Sequence, residues 1–397
     1  MILPPEPWRR NQLVTVAMVF VVFTGFAFVI PFLPLYVREL GVATADVALW
    51  AGVLIGIAQL LAGLLAPVWG RLADRRGHKQ IAIKALVAYV VLLVLSSLVT
   101  SVWQLLVLRI GVGLFGGIGP LGLAMATTLA PRDETGRAVG MVQAAQILSA
   151  AIGPLAGGWL ADAVGIRRTF LATAGLCAVA LLLVMRYYEE APRATTAART
   201  GPALTDILRL SSVPALLVVL FLVNFVGRSF TPILPDHLRE LGVSASRLAF
   251  ATGLLVSVYS VAAALSAALL GRASRTYSPR VLLVVTLLLG ALVVLPMARV
   301  PSFGWVLALA TLLGLTSGGS LTLCYTIGGL MVPPDVKTTA FGFFSGAALF
   351  GGAVSPSVAG WLARSELRGI YYVDAALFVL LALALLPSLR KGVESRA

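Results

Sequence analysis

The chain has 397 residues, 59% of them hydrophobic and 12% charged, with a formal net charge of +14. A water-soluble domain is about one quarter charged, so this composition excludes an ordinary soluble fold and points to a chain whose solvent is mostly lipid. Nor does the positive charge select nucleic acid as a partner, because it is spread over short segments with no cluster fit to track phosphates.

Reading from the N-terminus, MILPPEPWRRNQ is short and the apolar run behind it is too long for a signal-peptide core, so no cleavable leader is expected. Twelve apolar runs follow, roughly at 13–37, 47–69, 81–100, 103–129, 138–161, 168–186, 213–236, 247–270, 281–298, 304–331, 339–363 and 370–387. Most approach the roughly 20 residues that cross a hydrocarbon core. The turns between them carry punctuation such as APRDETG, GIRR, YSPR and PPDVK. Cys177 and Cys324 both fall inside apolar runs, which does not indicate a disulfide framework. The longest break, EEAPRATTAARTGPALTD, is polar and reads as a loop with a short surface helix. The expected fold is an all-α integral membrane protein with 12 transmembrane helices in two six-helix pseudo-symmetric bundles. Residues 1–188 form the first bundle, 189–211 a cytoplasmic central loop and 212–397 the second bundle.

With the N-terminus in the cytoplasm, 20 Lys/Arg fall on cytoplasmic segments and 8 on external ones, while Arg109 and Arg228 lie within runs. This bias follows the positive-inside rule and places both termini in the cytoplasm. The two halves also repeat each other. PFLPLYVRELGV, from Pro31 to Val42, recurs as PILPDHLRELGV, from Pro232 to Val243, at an offset of 201 residues. Gly70-Arg71 matches Gly271-Arg272, and SAAIGPLAGGWLA (149–161) matches GGAVSPSVAGWLA (351–363).

Local motifs give the repeat a family. GRLADRRGHK, from Gly70 to Lys79, resembles the signature loop of the major facilitator superfamily, departing only at His78. LLVLRIGVG (105–113) resembles that family's fourth-helix motif, with Arg109 as its arginine and Val112 where a Gln is usual. Gly153-Pro154-Leu155-Ala156-Gly157-Gly158 matches the fifth-helix motif associated with antiporters, and PFLPLYVRELGV looks like the first-helix end of twelve-helix multidrug exporters. The resemblance spans the whole chain and points to the drug:proton antiporter branch. It implies a monomeric secondary transporter that exports amphipathic small molecules in exchange for protons, rocking its halves around a central site. No cofactor, metal or nucleic-acid partner is expected; membrane lipid is.

The gating residues have physical roles of their own. Gly70 and Gly77 permit close helix approach and a tight turn. Asp74 is the only acid among Arg71, Arg75, Arg76 and Lys79, and can pair with them and with a nearby helix N-terminus as a latch on the cytoplasmic face. A basic anchor to anionic headgroups is the alternative. Pro154 removes a backbone hydrogen bond and kinks its helix, while Gly153, Gly157 and Gly158 admit a neighbour closely; Ser355-Pro356 repeats the device. Gly111, Gly113 and Gly116 form GxGxxG, but inside an apolar helix with no strand before it, so they are packing positions rather than a dinucleotide site.

Polar groups in mid-span are the candidates for binding substrate. Arg109 and Arg228 lead, with Asn224 one turn before Arg228 on the same face. Phe28, Gln143, Gln146, Tyr259 and Tyr325 complete the set. The resemblance places the first, fourth, seventh and tenth spans on the cavity, which favours Arg109, Arg228 and Tyr325. No acid lies in the first or fourth span; Asp46, Asp74, Asp162, Asp236 and Asp374 read as helix-end or loop residues. Two buried arginines without a buried acid suit neutral or anionic amphiphiles, including lipid-like ones. Asp236 and His237 replace Leu35 and Tyr36 of the first copy and are expected to take up external protons. A proton-independent facilitator, or a transporter of lysophospholipids and other anionic amphiphiles, is the alternative. A receptor would need a sizeable extramembrane domain, and an enzyme a buried Ser/His/Asp set or metal cluster; His237 with Glu240 is too weak a pair to supply one.

Overall fold

The structure is a computed structural model that describes residues 7–128, 131, 134–190, 213–332 and 337–394, less the side chains of residues 7, 74, 128, 136, 337–339 and 387–394. The expected surface helix of the central loop lies outside the described residues. Among those residues the secondary structure is entirely helical. The first half contains α1 (Pro7–Ala27), α2 (Leu33–Glu39), α3 (Thr44–Arg76), α4 (His78–Leu98), α5 (Val102–Leu114), α6 (Ile118–Thr128), α7 (Thr135–Val164) and α8 (Ile166–Tyr187). The second contains α9 (Val213–Ser229), α10 (Leu234–Glu240), α11 (Leu248–Ala273), α12 (Pro279–Met297), α13 (Phe303–Ser317), α14 (Ser320–Met331), α15 (Lys337–Leu362) and α16 (Gly369–Glu394). Eleven spans are long and apolar enough to cross a membrane, and twelve if α9 and α10, bent by 43°, count as one. Helix is the conformation that satisfies every backbone N–H and C=O within the segment, which lipid cannot do.

More helices than apolar runs are present because the first, fourth, seventh and tenth runs are each broken. A single 3₁₀ turn at Ile30–Phe32 separates α1 from α2, and a turn at residues 230–233 separates α9 from α10. Pro31 and Pro232 stand in these two breaks, where a missing N–H ends the ladder. In the fourth run Gly117 takes φ +124°, a conformation that carries no strain only without a Cβ. The carbonyl of Leu114 freed there accepts the indole N–H of Trp69 at 2.7 Å. Gly318 and Gly319 occupy the matching break in the tenth run.

Two compact units emerge, and they are not simple halves of the chain. One comprises Met1–Ala43, Ile57–Thr196 and Ala245–Ser257; the other comprises Thr44–Gly56, Ala197–Ser244 and Val258–Ala397. The first turns of α3 and of α11 therefore belong to the unit formed mainly by the opposite half. The free thiols Cys177 and Cys324 are both buried.

Each exchanged segment is seated by glycine. In the second unit, a Cβ on Gly52 would fall on the carbonyl of Pro356, one on Gly56 on that of Ala353, and one on Gly360 on that of Ala48. In the first, a Cβ on Gly253 would fall on the carbonyl of Pro154 and one on Gly158 on that of Ala249. A Cβ on Gly157 would fall on the backbone of Phe28, while one on Gly153 would meet the side chain of Ala27, with the Thr24 carbonyl at 3.2 Å. Where Pro154 disturbs α7, the Leu155 N–H donates to Ser257 Oγ at 3.0 Å. Polar clamps finish both contacts: Asp162 accepts the N–H groups of Ala249 and Phe250, at 3.2 and 2.8 Å, at the start of α11. Arg364 meets Asp46 at 2.8 Å at the start of α3.

Gly52→Ala is expected to destabilise the protein by about 1–3 kcal/mol, because the added methyl meets backbone rather than a movable side chain. Gly175→Ala, where a Cβ meets nothing within 4 Å, is expected to leave stability unchanged or slightly raised. Thermal unfolding of both variants in detergent checks the pair.

Candidate functional site

In the first unit the signature segment ends α3 and starts α4. Gly70 is exposed, with open space where a Cβ would stand, so its expected role in close packing is not realised within this unit. Gly77 turns the chain at φ +100°. Arg75 is exposed, and the side chain of Asp74 lies outside the described residues. The anion seated at the neighbouring helix N-terminus is one the sequence did not single out. Both carboxylate oxygens of Glu190 accept backbone N–H groups at the start of α4, from His78 at 3.0 Å and Lys79 at 2.8 Å. A carboxylate there satisfies two orphan donors and the positive end of the helix dipole. Next to it, Glu189 pairs with Arg10, and its backbone is bracketed by the Asn11 amide, with bonds of 2.7 and 2.9 Å. The end of the sixth span is thereby tied to the start of the first.

Arg109 is 3% exposed. Its guanidinium sits 5.5 Å from the centre of the Phe170 ring, within electrostatic reach of Tyr36, and its Nε and Nη2 have no partner among the described residues. Arg109, expected on the cavity, lies buried over the Phe170 ring of α8 in the first unit. Phe28 lies in the break after α1 with its backbone against Gly157. Gln143 is exposed on α7, while Gln146 lies near Gly119 and Phe23. These residues share a unit but form no single cluster.

The second unit assembles more. Asn224 donates to the Ala348 carbonyl at 2.5 Å, and both Asn224 and Arg228 lie against Gly352 of α15. Arg228 keeps an exposed side chain. Tyr259 from α11 reaches the same level of α9, its hydroxyl facing Gly227 and its ring edge-on to Phe230 at 5.4 Å. Three of the expected binding residues therefore converge. Tyr325 stands apart, stacked on Phe341 at 6.0 Å with its hydroxyl 3.4 Å from Ser345.

At the junction of α9, α10 and α16 the reading of one acid changes. Asp236 is ion-paired with Arg239 at 2.8 Å on its own short helix. Asp374, read from sequence as a helix-end residue, is fully buried. It lies five residues inside α16, on the face turned to α9, and its Oδ2 accepts the hydroxyl of Ser229 at 2.5 Å. Position along the run was visible in the sequence; the direction of the face was not. His237 is also fully buried, its Nδ1 2.9 Å from the Tyr371 hydroxyl.

Comparison with known proteins agrees with this architecture. The Major Facilitator Superfamily profile matches residues 15–252 and 216–396. A "Multidrug resistance protein MdtG" of Proteus mirabilis (strain HI4320) is 30% identical over 374 residues, 93% of each chain. The protein of that name from Escherichia coli O81 (strain ED1a) is 33% identical over 328 residues, covering 82% of this chain and 80% of its own. Among solved structures, an inward-facing, occupied bacterial homologue of the human lysosomal transporter Spinster superposes with TM-score 0.80 at 18% identity, over 98% of both chains. The human organic anion transporter MFSD10 gives 0.68 at 17% identity, over 96% of this chain and 100% of its own.

Replacing Glu190 by Ala leaves two N–H groups of α4 without their carboxylate. A loss of about 0.5–2 kcal/mol is expected, with faster amide exchange confined to residues 78–80. Thermal unfolding and hydrogen exchange by mass spectrometry read the two effects.

Proposed function

The chain belongs to the major facilitator superfamily, and from that premise we propose that it exports amphipathic small molecules by alternating access in exchange for protons. It is a transporter rather than an enzyme, with relatives named as multidrug resistance proteins. The observation that carries the substrate reading is the convergence of Asn224, Arg228 and Tyr259 on one level of α9, with the Arg228 side chain left exposed. A guanidinium in mid-span is sustained by water, by a partner or by a ligand. Its planar donor fork favours substrates that offer a carboxylate or phosphate. We therefore assign neutral or anionic amphiphiles as the substrate class, with Tyr325, Phe28, Gln143 and Gln146 as further contacts.

Direction and gating follow from the charge pattern. The Lys/Arg bias supports cytoplasmic termini in a bacterial inner membrane. Asp74, with Arg75, Gly70 and Gly77, is proposed to latch the cytoplasmic side. Gly153, Pro154, Gly157 and Gly158 seat the opposite one, and the protein is read as a monomer. The facilitator reading drew its strength from the absence of a buried acid, and Asp374 removes that argument.

Purified protein in liposomes enclosing a pH-sensitive dye tests this directly, with protein-free liposomes as the control. An anionic amphiphile is expected to drive proton movement, and Arg228→Ala to lower its kcat/KM by about tenfold or more. Arg228→Lys retains part of the effect. Transport with no proton movement gives the facilitator reading first place, and a preference for cationic amphiphiles overturns the assigned substrate class.

A further inference from the structure

The internal repeat supplies its own control for one pocket. At an offset of 201 residues, Tyr36, Phe170 and Thr173 of the first unit correspond to His237, Tyr371 and Asp374 of the second. The surrounding frame is conserved between the copies: Arg167 donates to the Ser97 carbonyl, and Arg368 to that of Ala298, at 3.3 and 3.2 Å. The ring pairs superpose in kind as well, Tyr36 with Phe170 at 5.0 Å and His237 with Tyr371 at 5.4 Å. In the first unit the polar atoms are spent on fixed carbonyls. Tyr36 donates to Ser96 O at 2.8 Å and Thr173 to Gly25 O at 2.9 Å. In the second, all three places hold groups that exchange protons, and a hydroxyl, Ser229, stands opposite in place of a carbonyl.

We propose that Asp374 is the carboxylate that carries the coupling proton, hydrogen-bonded to Ser229 and set one turn from the Tyr371–His237 pair. This rests on the antiport reading above. Asp374 has no exposed surface, its Oδ1 has no hydrogen-bond partner, and it takes part in no ion pair among the described residues. Isolated negative charge in such a place is expensive, and a bound proton removes it. Asp236, in contrast, is already engaged with Arg239.

The groups facing Asp374 are few. Ser229 and Arg228 come from α9, and Tyr259 from α11 lies within electrostatic reach of both Arg228 and Asp374. His237 comes from α10. On the near side of α16, Arg368 is committed to Glu240 at 2.9 Å. Helix α12, packed along α16, offers Thr286 and, in its first turn, Arg280. Residues 340–362 of α15 contain no titratable group.

The cycle balances simply. A proton from water bonds to Oδ1 and gives the neutral acid; the O–H bond later breaks, the proton leaves to water on the other side, and the carboxylate is restored. Asp374 lies about 7.5 Å along the axis from the Gly369 end of α16. The buried Tyr371 hydroxyl and the free Nε2 of His237 lie toward that end. Because Ser229 directly follows Arg228, gain or loss of the proton bears on the helix that presents the substrate site.

The test compares wild type, Asp374→Asn and Ser229→Ala in proteoliposomes, reading substrate-driven proton flux and downhill transport across a pH series. D374N is expected to lose at least about tenfold in proton flux, and its remaining transport to become independent of pH. S229A is expected to displace the pH profile by about half a unit or more while Asp374 stays in place. Wild-type proton flux or an unchanged pH profile in D374N overturns the assignment and leaves antiport standing. If D374N cannot be purified folded, an unchanged profile in S229A overturns it instead. Wild-type transport without any proton flux overturns the antiport reading, and this assignment with it.

Discussion

Backbone meeting backbone is the contact on which this structure depends. Apolar side chains gain little by leaving lipid for one another, so helices in a membrane are held where they approach closely enough for dense van der Waals packing. Here that approach is concentrated at Gly52, Gly56 and Gly360 in one unit and at Gly157, Gly158 and Gly253 in the other. The same two places carry the polar clamps, Arg364 with Asp46 and Asp162 with the first amides of α11. Glycine sets the distance, and charge fixes the register along it.

What could be read from sequence divides along a physical line. The number of membrane spans, the duplication and the family motifs were legible because they rest on hydropathy, spacing and local spelling. The breaks at Gly117 and Gly318 were not, since a glycine pair inside an apolar run fits a straight helix as well as a broken one. Asp374 shows the same limit more sharply. Its place near a helix end was plain, but burial depends on which neighbour its face meets, and a span that is apolar all round gives no periodic signal to orient it. Arg109 went the other way: its depth was correct, and its covering by Phe170 came from a helix remote in sequence. Glu190 sat at the edge of a polar stretch, with nothing local to connect it to the amides of His78 and Lys79.

The duplication has divided labour between its copies. In the first unit, Tyr36 and Thr173 are tied to backbone carbonyls, and Arg109 is buried over the Phe170 ring. In the second, the corresponding positions hold an imidazole, a phenol and a carboxylate, while Arg228 keeps an exposed side chain. In residue type, one copy holds groups tied to backbone and the other holds groups able to gain or lose a proton. A shared scaffold lets three substitutions change the character of a pocket without changing its shape.

The closeness of that pocket bears on which ion can drive the protein. A sodium or other metal ion surrenders its water only for a shell of several oxygens at fixed distances, as hard cations generally do. Around Asp374 the bound partner is a single hydroxyl, in a site with no exposed surface. A proton needs only one lone pair and adds almost no volume. Such a pocket discriminates by coordination number and size, so a carrier that couples through it runs on acidity and is indifferent to the salt around it.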